Sequence, residues 1–186
     1  MIKHSMIGLL PIWLLLFFLL LPIYFVVPWK SLWGSFFYPS AWVNVPFQAG
    51  VKGAVAEVAF DAPLAKIYVF YLDLYYRSGD RQDQERVSQQ VDSWGNYSDG
   101  QPARYAPPLP VHLTVFCLDT GASIVFDRTF TQHRLEGHGV DYYSEVITSA
   151  HLEPGHYQAR IEALEDVAAL KDIPVHFDVH VPGHPK

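Results

Sequence analysis

The sequence predicts a mainly β protein, an antiparallel β-sandwich of roughly seven strands with one or two short helices. A single N-terminal transmembrane helix precedes it. Three observations carry this prediction: an uncharged apolar run near the start, period-two patterning through most of the rest, and only one clear helical pattern. The 186 residues suffice for one domain of ordinary size. We divide the chain into an anchor at 5–29, an aromatic juxtamembrane segment at 30–40 and a β-sandwich domain at 41–186.

The predicted anchor runs from Ser5 to Trp29 without a charged residue. A helix needs about 20 apolar residues to cross the hydrocarbon layer, so this run is long enough to span. A cleaved secretory signal is the alternative, but its apolar region is usually about 7 to 15 residues long and ends at small residues. In this chain, bulky residues rather than small ones end the apolar run. Lys3 precedes the span and favours a cytoplasmic N-terminus, with the domain on the outer side.

An aromatic stretch follows the span, and aromatic rings with a polar edge favour the headgroup level of a bilayer. One interpretation places the stretch on the membrane surface; the other makes part of it the first strand of the domain. We expect 36–38 nearer the membrane and 42–47 nearer the fold. The aromatic residues are Trp29, Trp33, Phe36, Phe37, Tyr38 and Trp42.

Strands are predicted wherever apolar residues alternate or run continuously between turn residues. The run at 64–76 is apolar on both faces, which is typical of a central strand. Pro154 and Gly155 predict a hairpin turn. Asp80 is positioned to cap a helix over 81–94, a second helical turn is expected at 165–170, and 95–110 is predicted as a loop. The remaining predicted strands are 111–118, 123–131, 141–151, 156–164 and 173–181.

Charge excludes one class of function. From Lys52 onward there are 11 basic and 19 acidic residues, a net charge of −8. This sign repels phosphate backbones, so we expect no nucleic-acid partner. Cys117 is the sole cysteine, which excludes an internal disulfide. Its position in an alternating strand predicts a buried, unreactive thiol, because the nearest charge along the chain is the carboxylate of Asp119.

Nine histidines suggest a metal site, but their spacing does not support one. His176 and His180 alternate with apolar residues, so they are predicted on one solvated strand face. Residues four apart on a strand are about 13 Å apart, too far to share one ion. His133 and His138 lie near glycines and are predicted in an exposed loop. We therefore expect no metal and no cofactor.

Catalytic signatures are missing from the sequence. It has no Gly-x-Ser-x-Gly elbow, Walker loop, Gly-x-Gly-x-x-Gly or His-Glu-x-x-His pattern. No catalytic residue is assigned, and an unrecognised hydrolase is a minor alternative, because convergent active sites need no shared motif.

Several segments in order resemble a bacterial family, domain of unknown function 5625. The resemblance covers about 41–181, and its most specific part is the turn, strand, short acidic helix and Ile-Pro-Val-x-Phe of the C-terminal region. It implies a small envelope protein, often a lipoprotein, with no assigned catalytic residues. This chain lacks the lipidation cysteine after its apolar run. The segments are Val45-Pro46-Phe47, 67–76, Leu113-Thr114-Val115, 152–164 and 170–177.

The function expected from these features is non-enzymatic binding of another protein at the bacterial inner membrane, with the domain in the periplasm. An acidic surface suits a basic partner, such as a toxic effector that an immunity protein neutralises. The alternative is a lipid- or glycan-binding module, which requires an exposed groove lined by Tyr68, Tyr71, Tyr75, Tyr76 and Trp94. Candidate contact residues, chosen for expected exposure, are Trp94, Tyr97, Arg104, Tyr105, His133 and His138.

Overall fold

The computed structural model describes residues 42–91 and 109–182. All of them belong to one compact unit, Ser40–Lys186. The predicted anchor at 5–29 and the juxtamembrane segment at 30–40 lie outside the described residues. Within the described ranges, no helix combines the length and the hydropathy that a membrane span requires.

Within residues 42–91 and 109–182, nine strands form two antiparallel sheets, which confirms a mainly β fold but exceeds the predicted number of roughly seven strands. Sheet A has the order β1-β9-β3-β7-β6 and sheet B the order β2-β8-β4-β5. The strands are β1 (Val43–Phe47), β2 (Val55–Ala62), β3 (Lys66–Tyr75), β4 (Val111–Cys117), β5 (Ser123–Phe130), β6 (Arg134–His138), β7 (Tyr142–Leu152), β8 (Gly155–Ala163) and β9 (Val175–His180).

The centre of sheet A is β3, paired with β9 on one side and β7 on the other. Seven consecutive residues of β3, from Tyr68 to Leu74, are buried, as the apolar run predicts. Tyr68, Phe70, Leu72 and Leu74 point into the core, where they meet the inner face of sheet B. Full burial of such side chains stabilises a fold by roughly 1.5–3 kcal/mol each.

Aromatic rings join the two sheets across the core. Phe60 of sheet B lies 5.7 Å from the Tyr157 ring of the same sheet, and 6.0 Å and 6.5 Å from Tyr68 and Phe70 of sheet A. Phe177 stacks on Phe70 at 6.3 Å. These spacings fall in the range where ring pairs attract one another, so the cluster fixes how the sheets face each other.

Helix α1 spans Arg81–Ser88 and begins as predicted, with the Asp80 side chain accepting a hydrogen bond from the amide of Asp83. It ends six residues before the predicted Trp94. The Gln90 amide bonds to Val87 O, three residues back, so the last turn tightens and the α-helix stops. Near the C-terminus, the predicted turn is a short 3-10 helix, Ala168–Leu170.

Two of the strands are not predicted from the sequence. β2 was not predicted, and β6 occupies part of the segment predicted as a histidine loop. The turn predicted at Pro154 and Gly155 is confirmed, because β7 ends at Leu152 and β8 begins at Gly155. The predicted hairpin is wrong, because β7 belongs to sheet A and β8 to sheet B, so the turn carries the chain from one sheet to the other. Asp119 Oδ2 accepts a hydrogen bond from the amide of His156, 2.8 Å away, and this ties the β7–β8 turn to the turn that follows β4.

Candidate functional site

The outer face of sheet B is polar and faces solvent. Alternation along β2, β8, β4 and β5 sends apolar residues inward and the others outward, and the strand register aligns the outward residues in rows. We call this surface the acidic face. Its residues are Val55, Glu57, Ala59, Asp61, His112, Thr114, Phe116, Ile124, Asp127, Thr129, His156, Gln158, Arg160 and Glu162.

Carboxylates outnumber fixed cations on the acidic face by four to one. Arg160 is the cation, and two carboxylates share it: its Nε lies 3.4 Å from Glu57 Oε1 and its Nη2 lies 3.0 Å from Glu162 Oε2. Gln158 donates a further hydrogen bond to Glu57 at 3.1 Å. Because one guanidinium cannot neutralise two carboxylates, this part of the face keeps a negative charge.

A second polar group crosses from β4 to β5. The Nε2 atom of His112 lies 2.6 Å from Asp127 Oδ1, and its Nδ1 atom lies 3.1 Å from the Thr129 hydroxyl. Thr114 donates to the same Asp127 oxygen at 3.1 Å. Hydroxyl, imidazole and carboxylate therefore follow one another in the order of a nucleophilic triad.

The surroundings of this group do not suit acyl transfer. The strand amides beside Thr129 lie in the plane of the sheet, within the hydrogen-bond ladder or along its edge. They do not converge above the hydroxyl, where an oxyanion would form. The arrangement instead fixes the Asp127 carboxylate, and with it one negative charge, in a defined position on the face.

The far end of the acidic face carries another histidine–carboxylate pair. His156 Nδ1 lies 2.5 Å from Asp61 Oδ1, and both side chains are exposed. The hydrogen bond to Asp61, together with the charges of Asp119 and Asp61, raises the pKa of the His156 imidazole above its usual value. A partner approaching this end therefore meets two carboxylates and an imidazole that they hold in place.

An apolar strip crosses the face between its charged rows. Its apolar members are Ala59, Phe116 and Ile124, and the polar Gln158 of β8 lies between Ala59 and Phe116 in the same row. Ile124 is 61% exposed. An apolar centre with a charged margin is the usual composition of a protein-binding surface. The acidic face combines both elements on a rigid sheet.

The outer face of sheet A contrasts with this surface, because it is polar and buried. Asp178 of β9 has no solvent exposure; Trp42 Nε1 donates to its Oδ2 at 2.7 Å, and His180 Nδ1 lies 2.5 Å from its Oδ1. His180 stacks on Tyr71 with ring centroids 4.4 Å apart. The prediction of a solvated face for His176 and His180 is therefore wrong: His180 is buried, and His176 is half-buried beside Tyr75.

Burial also changes the acidity of this face. It is the main cause that raises the pKa of the Tyr71 phenol, assisted by the charge of Glu136 and a hydrogen bond to it. Burial, followed by the charge of Asp73, raises the pKa of Tyr75 to about 12. Ser144 donates to Asp73 at 2.5 Å. These groups are hydrogen-bonded within a covered network, so they serve the stability of the domain.

The structure places the two described candidates, His133 and His138, apart from the acidic face. His133 precedes β6, and its Nε2 lies 2.7 Å from Leu109 O. Its Nδ1 is buried and has no partner among the described residues. His138 is exposed at the end of β6 in sheet A, paired with Tyr143. The predicted loop is wrong at His138, because hydrogen bonding to β7 makes 134–138 an edge strand, whereas His133 lies in the connection before that strand.

The other four candidates, Trp94, Tyr97, Arg104 and Tyr105, lie outside the described residues. The ligand-binding alternative requires an exposed groove lined by five aromatic residues, and four of these, all tyrosines, are among the described residues. Tyr68 and Tyr76 are buried in the core. Tyr71 and Tyr75 lie on the outer face of sheet A, where Tyr71 is buried and Tyr75 is half-buried. These four side chains do not form an exposed platform.

Among the described residues, no three His, Cys, Asp or Glu side chains are arranged to hold a metal ion. A cleft of about 430 Å³ lies between the segment after β1 and the segment before β9. Its walls meet closely at Gly50, where a Cβ atom would lie 2.7 Å from the Lys171 amide nitrogen. Exposed Lys171 and Asp172 carry opposite charges on its rim, so the cleft favours no ligand charge.

Sequence reasoning missed the acidic face. Glu57, Asp61 and Glu162 each occupy an outward position in an alternating strand, and that alternation is the available signal. Alternation alone does not reveal that strands more than 90 residues apart in the chain are neighbours. The register between β2 and β8 supplies that information.

Fold and surface together define a class: a two-sheet β domain whose exposed sheet presents acidic groups around an apolar strip. The chain matches the family Domain of unknown function (DUF5625) over residues 44–181. It belongs to that family, as the sequence resemblance predicted. No curated protein matches the chain.

A solved structure shares the fold. It is described as the crystal structure of GEBA250068378 from Sulfurospirillum deleyianum, with a TM-score of 0.64 and 18% sequence identity. The match covers 79% of this chain and 100% of the other. At this identity the likeness shows the fold alone.

Proposed function

We propose that this protein is a membrane-anchored domain on the outer side of the bacterial inner membrane that binds a cationic protein through its acidic face. Neutralisation of a toxic effector is the form of this function that we favour, with no catalytic step. The observation that carries the proposal is the strip through half-buried Phe116 and exposed Ile124, bordered by carboxylates that Arg160 only partly neutralises.

Electrostatics supports a cationic partner in particular. Complementary charge speeds diffusional encounter and disfavours partners of the same sign. The predicted anchor at 5–29 would hold the domain at the membrane, which raises its local concentration against a target that acts there. The buried tyrosines remove support from the aromatic-groove alternative.

Site-specific photocrosslinking tests the proposal. A benzophenone amino acid replaces Ala59, which is exposed between Glu57 and Asp61, in cells that produce the full chain. A matched control carries the same amino acid at Val140, which is 85% exposed in the turn between β6 and β7. We expect one protein with a basic surface to be crosslinked from position 59 and not from 140, with a yield that falls as salt is raised.

The adduct is then identified by mass spectrometry, and its protein is expressed without this chain. Toxicity that co-expression relieves would support the immunity form of the proposal. Equal crosslinking from both positions, or an adduct only with lipid or glycan, would overturn protein binding at the acidic face.

A further inference from the structure

The four edge strands of the two sheets differ in how they are protected. β1 has five residues, includes Pro46 and lies against β2, so these two edges meet where the sheets come together. β6 has five residues and an irregular register at Leu135 and Gly137. β5 has eight residues and no proline. Short edges, prolines, irregularities and charged side chains block the addition of strands. β5 lacks the first two devices, although its register with β4 shifts at Val125 and it carries the charged residues Asp127 and Arg128.

β5 is also the most exposed strand of the domain. Within residues 42–91 and 109–182 its one strand neighbour is β4. Six of its eight residues are exposed, including Ile124 and Val125 at 61% and 45%. Leu118, across the turn from them, is 40% exposed. Large aliphatic side chains at an open edge are typical of a surface that another strand covers.

The two sides of β5 differ chemically. On the side of the acidic face lie Asp127 and Ile124, next to Thr114 and Phe116 of β4. On the opposite side the rings of Phe126 and Phe130 stack with centroids 5.7 Å apart. The Arg128 guanidinium lies 5.5 Å from the Phe126 ring centre. A strand added to β5 would therefore meet an acidic and aliphatic row on one side and an aromatic row on the other.

We propose that the partner docks by adding an extended strand to the free edge of β5. The strand carries a Lys or Arg beside Asp127, an aliphatic residue beside Ile124 and an apolar residue beside the paired phenylalanines. Main-chain hydrogen bonds to β5 hold the strand, and the alternating side chains select it. This inference rests on the proposed function, since it specifies how the cationic partner is recognised.

The probe is an extended peptide with the repeat Lys-Val-Ile-Val, which presents Lys and Ile on one side and Val on the other, added to the full chain in lipid nanodiscs. Its control is the same peptide with every backbone nitrogen methylated, which keeps charge and side chains but removes all main-chain donors. The readout is amide hydrogen exchange along β5. We expect the unmethylated peptide to slow exchange in Ser123–Phe130 by about tenfold or more and the methylated peptide to leave it unchanged.

Matched protein variants sharpen the result. Ile124→Lys places a charge on the free edge and should weaken binding of the unmethylated peptide about tenfold, while Val140→Lys adds the same charge away from the edge and should not weaken it. Equal binding of both peptides, or equal effects of both variants, would overturn strand addition. Protection of β5 that rises with protein concentration and needs no peptide would also overturn it, in favour of a second copy of this chain.

The crosslinked partner separates this inference from the proposed function. If that protein binds the Ile124→Lys variant at full strength but does not bind the combined Glu57→Gln, Glu162→Gln variant, strand addition fails and binding at the acidic face stands. If it binds the Glu57→Gln, Glu162→Gln variant at full strength, the proposed function fails as well.

Discussion

The outer faces of the two sheets carry similar residue types under opposite conditions. On sheet A, Asp73 and Asp178 are fully buried, and their oxygens accept hydrogen bonds from neighbouring side chains. On sheet B, Glu57 and Asp127 are exposed, and their partners lie at the surface. Carboxylates in a covered network stabilise the fold, whereas carboxylates in water leave their field available to a partner. Polar composition alone does not distinguish these two roles.

Replacing a buried carboxylate should have the largest effect. Asp178→Ala leaves the donors of Trp42 and His180 without their acceptor inside a covered face. We expect the free energy of unfolding to fall by about 3 kcal/mol, measured by urea denaturation of the full-length protein in detergent. The matched variant Asp61→Ala on the acidic face should cost less than about 1 kcal/mol. Equal costs would contradict the distinction between the faces.

Neutralising the acidic face should change binding while leaving the fold intact. The combined variant Glu57→Gln, Asp61→Asn and Glu162→Gln removes three exposed negative charges. We expect association with the crosslinked partner to slow about tenfold at low salt, with a smaller difference at high salt. Stopped-flow or surface-based kinetics would measure this. Faster dissociation with unchanged association would contradict electrostatic attraction as the cause.

Two histidines should respond to acid in opposite directions. Burial lowers the pKa of His133 below its ordinary 6.5. Protonation of His133 therefore favours the unfolded chain. The stability that depends on the neutral imidazole is fully present above pH 6.5 and is lost as the pH falls from that value toward the pKa in the folded protein. In His133→Gln, which can still donate to Leu109 O, we expect a smaller loss of stability between pH 7 and pH 5.5.

His156 provides the contrast, because Asp61 raises its pKa. The stability that protonated His156 contributes is fully present below pH 6.5 and is lost as the pH rises through the pKa in the folded protein. Solvent screens this exposed pair, so His156→Gln should alter the pH dependence of unfolding less than His133→Gln does. Urea midpoints at several pH values test both variants, and a larger change at His156 would contradict this order.

The smallest effect is expected on helix α1. Arg81 Nε and Glu85 Oε1 lie 3.1 Å apart with both side chains exposed. Such pairs stabilise a helix by about 0.3–0.5 kcal/mol, so Arg81→Gln should shift the urea midpoint very little. A salt series provides the check, because the small difference should vanish at high ionic strength. A loss above about 1 kcal/mol would show that exposed pairs matter more here than the comparison implies.

Most of the strands could be predicted because their alternation is strong. β2 could not, since small alanines at its inward positions 56 and 62 and an apolar Val55 outside blur the pattern. β6 is short, polar and bears Gly137, so only its hydrogen bonds to β7 identify it. The burial of Asp178 could not be predicted from the sequence either, because a polar strand face has the same residue pattern whether or not other residues cover it.

The acidic face shows the same limit for function. Its carboxylates come from strands that are distant in the chain, and their convergence depends on register. The net acidity and the preference for a basic partner could be proposed from the sequence. The surface that we propose for such a partner could not, and the candidate residues chosen for their expected exposure do not include any residue of the acidic face.

Gly155 shows how two turns of the domain depend on each other. A Cβ atom at this position would lie 2.8 Å from Asp119 Oδ2, the oxygen that accepts the His156 amide. A side chain at 155 therefore requires the Asp119 carboxylate to move from the position in which it secures the turn, whereas a smaller residue at 119 would make room for it. The effects of Gly155→Ala and Asp119→Ala should not add, so the β7–β8 turn can be redesigned only together with the turn after β4.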